Sequence, residues 1–110
     1  MKITELINIE EQLLKFDKSI NKFNLSFSDL LKFNDYKERI GKITDTFFKT
    51  QVEYANIIKN DNDYASKLQN YHDKLMESDI DIDISELNNI FYKNENIISE
   101  TSNQAIKKNS

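Results

Sequence analysis

Apolar residues return at alternating steps of three and four through the first thirty positions: Leu6, Ile9, Leu13, Phe16, Ile20, Phe23, Phe27 and Leu30. This is a heptad seam, the spacing by which one helix offers a continuous stripe to another. It predicts a first helix from about Ile3 to Leu31, with Ile3, Ile7 and Leu14 as a minor flanking stripe and a weak point for bending at residues 24–28. A second seam follows in Tyr36, Ile40, Ile43, Phe47, Tyr54 and Ile57, interrupted only by Thr50. Asp35 and Glu38 stand three apart, as in a capping box, and predict a second helix from there to about Lys59. So short a connection folds the two helices into an antiparallel hairpin.

Gly41 falls in the first turns of this second helix, where it costs about 1 kcal/mol relative to alanine. Close approach of a neighbouring helix is the expected reason for it. Phe48, Val52 and Ala55 form a stripe beside the seam, with Ile58 between the two, so the second half of the helix is apolar over a wide arc. A hairpin covers only part of that arc. The surplus, at roughly 25 cal/mol per Å² of apolar surface, favours association.

Beyond residue 59 the pattern is shorter in range. Asn60-Asp61-Asn62-Asp63 is a turn by composition. Tyr64, Leu68, Tyr71 and Leu75 place a third helix from about Tyr64 to Glu77. Acid then alternates with isoleucine from Asp79 to Ile84, the pattern of a short extended strap with its isoleucines turned inward. Asp83 and Glu86 open a last helix through Leu87, Ile90, Phe91, Ile97 and Ile98, and the polar stretch from Thr101 is a frayed tail. The expected fold is all-α: a hairpin module at 1–59, a C-terminal helical segment with an acidic strap at 60–100, and a tail at 101–110. A partner chain would complete the bundle.

Composition narrows the function. Among 110 residues there is one glycine, no proline and no cysteine, which leaves no glycine-rich phosphate loop, no disulfide framework and no thiolate chemistry. Residues 1–50 hold nine basic and eight acidic groups, residues 51–110 six and eleven, a net of +1 against −5. Arg39 is the only arginine and the lysines are scattered, so no basic patch for nucleic acid is expected. Asp79, Asp81 and Asp83 open like a calcium loop, but Ile84 and Ile90 stand where that loop requires glycine and glutamate. His72 is the only histidine and reads as a solvated surface residue rather than a zinc ligand. No serine or threonine has a histidine–acid pair to activate it. Neither a cofactor nor a membrane span is expected, and the chain reads as a non-enzymatic docking protein. Its candidate partner interface comprises Leu6, Ile9, Leu13, Phe16, Ile20, Phe23, Phe27, Leu30, Ile40, Ile43, Phe47, Phe48, Val52 and Tyr54.

The run Leu6-Ile7-Asn8-Ile9-Glu10-Glu11-Gln12-Leu13, followed by Phe27-Ser28-Asp29-Leu30, resembles the first helix of the subunit 11 family of the Mediator complex. Phe47-Phe48-Lys49-Thr50-Gln51-Val52-Glu53-Tyr54 resembles that family's second helix, and the likeness spans residues 3–58. The family tends to carry small residues where Lys18, Ser19 and Ile20 stand, and the Asp-Ile alternation has no counterpart in it. The resemblance implies a nuclear, non-enzymatic subunit of the Mediator head module. It would pair with subunit 22 in a four-helix bundle, contact other head-module subunits and support RNA polymerase II transcription. Two other assemblies share the helical pattern. Bacterial type VII secreted hairpins have a Trp-x-Gly turn where this chain has Phe33-Asn34-Asp35, and coiled-coil subunits of kinetochore or tethering complexes carry seams of the same kind.

Overall fold

The computed structural model describes residues 1–94 and contains four α-helices: α1 (Ile3–Lys18), α2 (Phe27–Ile58), α3 (Tyr64–Met76) and α4 (Ser85–Lys93). The expectations for Ile97, Ile98 and the 101–110 tail lie outside the described residues.

The first helix is shorter than its seam. α1 stops at Lys18, a single 3-10 turn spans Ile20–Lys22, and α2 begins at Phe27. The cause is local. Ser19, Asn21, Asn24 and Ser26 all favour side-chain bonds to backbone over continued helix, and the Ser26 hydroxyl accepts the Asp29 N–H at 3.1 Å as the N-cap of α2. The heptad rhythm nevertheless persists through the break because Ile20, Phe23 and Leu25 fold back onto the same core as α1. Phe16 stacks on Phe23 with centroids 4.1 Å apart and planes 4° from parallel. The predicted start at Asp35 is corrected accordingly: Asp35 and Glu38 lie inside α2, in i,i+4 ion pairs with Arg39 at 2.9 Å and Lys42 at 3.1 Å.

α2 runs for 32 residues, about 48 Å at 1.5 Å per residue, and is the spine of the fold. Its buried face is Phe33, Tyr36, Ile40, Thr44, Phe47 and Ile58. A straight helix drifts some 20° per heptad against a 3.5-residue repeat. Over three heptads the inward position therefore moves from Ile57 to Ile58, and Ile57 is left 79% exposed.

Different helices cover the two halves of the spine. α1 returns antiparallel along the first half, with Phe16 packed on Phe33 at 5.3 Å and the buried Thr44 hydroxyl donating to Glu10 Oε2 at 2.7 Å. α3 returns along the second half after a turn at 59–63. Tyr54 stacks on Tyr71 at 4.0 Å, and His72 Nδ1 lies 2.8 Å from Gln51 Oε1. His72 is thus a half-buried link between helices, not the free surface histidine expected.

The start of α1 meets the end of α3 near the middle of α2. Thr4 Oγ1 donates to the Met76 carbonyl at 2.8 Å, and the Ile3 N–H to the Ser78 carbonyl at 3.1 Å. From there residues 78–84 form the extended strap that the alternation predicted. Lys2 and Asp79 make an antiparallel bridge, with the Ile80 N–H donating to the Met1 carbonyl at 2.6 Å. Ile80, Ile82 and Ile84 pack on the core while Asp79, Asp81 and Asp83 face out. Tyr36 Oη donates to the Asp83 carbonyl at 2.7 Å and pins the strap's end. α4 then lies beside the start of α2, where Lys93 and Glu86 reach Asp29 at 3.3 Å and Lys32 at 3.7 Å.

One buried cluster results, joining Leu6, Leu13 and Phe16 of α1 to Phe33, Tyr36 and Ile40 of α2 and to Leu87 and Ile90 of α4. Its residues come from both the 1–59 and the 60–100 segments.

Candidate docking surface

The fourteen residues marked by the seams divide sharply. Leu6, Leu13, Phe16, Ile40 and Phe47 are buried inside the chain. Ile9, Ile20, Phe23 and Ile43 are half-buried against that same core, Leu30 is half-buried, and Tyr54 is held under Tyr71. Most of the seam is therefore occupied by the chain's own helices. Three of the fourteen stay exposed: Phe27 at 77%, Phe48 at 53% and Val52 at 61%. The residues quoted for the resemblance to a first helix also separate, since residues 6–13 lie on α1 and residues 27–30 on α2.

The second half of α2 exposes Phe48, Val52 and Ile57, whereas the exposed Phe27 and Leu31 lie in its first two turns. α3 covers one row only, so apolar side chains remain on both sides of it. On one side stand Phe48 and Val52, with Ala55 half-buried beside them. Phe48 is fixed edge-on to the buried Phe47 ring at 5.2 Å, so its exposed face has a defined position. On the other side, Ile43, Thr46, Thr50 and Ile57 share a face by helical spacing. The first three line an open groove of about 350 Å³, together with Ile3, Phe47, Leu75 and Ile80.

Charge is distributed just as unevenly along the spine. Asp29, Lys32, Asp35, Lys37, Glu38, Arg39 and Lys42 all take part in ion pairs. Asp45, Lys49, Glu53 and Lys59 are exposed and make none among the described residues. The boundary falls where the apolar flanks begin. Sequence reasoning found the wide apolar arc but not this change, because ion pairing depends on which helices lie alongside.

The strap aspartates point to solvent, and among the described residues no group of three or more His, Cys, Asp or Glu is placed to hold a metal ion. Asp83 acts locally at the start of α4. Its carboxylate accepts from the Ser85 hydroxyl and from the Ser85 N–H at 2.9 Å, which holds its pKa below the ordinary aspartate value. Outside its own helix Gly41 has nothing within 4 Å of where a Cβ would stand, so the expected close approach of a neighbour is absent among the described residues. No helix among the described residues is long and apolar enough to cross a membrane. No known protein family, curated protein or solved structure matches the chain.

Proposed function

We propose that this chain is a non-enzymatic helical docking protein that offers the second half of α2 to another protein. The observation that carries the reading is the exposure of Phe48, Val52 and Ile57 on one helix after every described helix has been placed. Solvent-facing apolar side chains grouped on a single element mark contact surfaces, whereas scattered ones do not. The groove floored by Ile43 and Phe47 offers a partner side chain a recess on the same half of the helix.

The resemblance of residues 3–58 to Mediator subunit 11 supplies the specific form of this proposal. The chain is then a nuclear head-module subunit, its partner is subunit 22, and its contribution to RNA polymerase II transcription is architectural. Co-expression of the full chain with subunit 22 from the same organism tests it, with a soluble 1:1 helical complex as the expected result. Ile57→Asp should abolish capture, because a charge would then enter a desolvated contact. Two soluble proteins that stay apart would remove the Mediator assignment. Capture from the native cell by the wild type but not by Ile57→Asp would still support docking through α2.

A further inference from the structure

The flank of α2 that carries Phe48 and Val52 is bounded by opposite charges at equal distances, seven residues, on either side of Val52. At steps of three and four it runs Asp45, Phe48, Val52 and the half-buried Ala55 on α2 and then Lys59 at its C-cap, the four others being exposed. Reversed and laid against itself about a two-fold axis at Val52, it sets Asp45 against Lys59 and Val52 against Val52, and brings Phe48 to within one residue of Ala55. Each end becomes an ion pair, each large ring meets a small residue, and the centre is a symmetric valine contact. Such matching of large to small and plus to minus is what an antiparallel helix pair requires.

The two-fold at Val52 is the register that keeps both end pairs: sliding one copy by a turn in either direction takes Asp45 off Lys59, so one register is favoured over its neighbours. Asp45 and Lys59 are also among the exposed charges that the chain leaves without an ion pair among its described residues.

We propose that the Phe48–Val52 flank is a self-recognition surface, taking a second copy of this chain as an antiparallel, two-fold related helix. The inference rests on the docking role of α2 and divides its labour: this flank joins two copies, and the groove and Ile57 remain open on the other side.

Sedimentation of the full chain across the micromolar range tests it. A concentration-dependent dimer is expected, and Val52→Asp should give a monomer with unchanged helical circular dichroism. Lys59→Asp alone, which sets like charges against the partner's Asp45 twice, should weaken the dimer about tenfold or more. Lys59→Asp with Asp45→Lys should restore it, because the swapped pair has the same complementarity. A Val52→Cys variant, in a chain with no other cysteine, should form a disulfide-linked dimer under mild oxidation. A wild type that stays monomeric throughout overturns the proposal, as does a double swap that fails to restore pairing. If that monomeric chain still captures a partner through the Ile57 side, the docking function stands without the self-pairing.

Discussion

Thr44 Oγ1 and Glu10 Oε2 lie 2.7 Å apart and form a polar link between α2 and α1, at a position where α2 is otherwise sealed. The hydroxyl is also within reach of the Ile40 and Gly41 carbonyls, at 3.2 and 3.1 Å, so it has a local acceptor if the carboxylate leaves. Thr44→Val should destabilise the fold by about 1 kcal/mol, the ordinary net value of such a bond. Glu10→Ala should cost a similar amount. The double variant should cost less than the sum of the two, and urea denaturation of all four proteins measures the coupling.

Gly41→Ala should raise stability by about 1 kcal/mol. Among the described residues nothing beyond the surrounding helix backbone lies within 4 Å of the new methyl group, and alanine both favours helix and restricts the unfolded chain. A rise in thermal midpoint with an unchanged circular dichroism spectrum is the expected readout.

Phe33 and Phe27 separate the two interpretations of the first seam. Phe33→Ala should cost about 3–5 kcal/mol because its ring is wholly buried in the core cluster and packs on Phe16. Phe27→Ala, the first residue of α2 and largely exposed, should change stability by less than about 0.5 kcal/mol. A continuous helix from 3 to 31 with an intact seam would reverse that order.

Ser26→Ala should cost about 1 kcal/mol by removing the acceptor of the Asp29 N–H. Loss of amide protection in the first turn of α2 would locate the effect.

Asp83 should titrate below 3.8 in the folded chain, because the Ser85 hydroxyl and then the Ser85 N–H stabilise its charged form. A carboxyl with a lowered folded pKa adds stability above its unfolded value, and the gain disappears as pH falls through the folded one. The affected window is therefore strongly acidic, and neutral pH leaves the link intact. In Ser85→Ala the carboxyl carbon shift followed by NMR should move its midpoint back toward 3.8.

Much of the architecture was legible in the chain, and the errors share a cause. Tyr64–Met76 and the inward isoleucines of the strap followed from periods of 3.6 and 2 that no competing signal obscured. The first break was mislocated because Ile20, Phe23 and Phe27 keep heptad spacing across a segment that is not continuous helix, and spacing alone does not register a change of direction. Asp35 and Glu38 mimicked a cap because a capping box and an i,i+4 ladder draw on the same residue types. At the candidate surface, Phe48 and Val52 were found by pattern. The exposure of Ile57 required the accumulated drift of a straight helix over three heptads.

The unequal covering of α2 sets how the molecule opens. Its first half shares a buried cluster with α1 and α4, whereas its second half is backed by α3, a helix with no fully buried residue. Amide exchange should therefore divide within one continuous helix, with protection from Phe33 to Thr44 approaching that of global unfolding and falling off beyond Phe47. α3 and the last three turns of α2 then form the unit that melts first, and their cooperative release leaves the core of the other half standing.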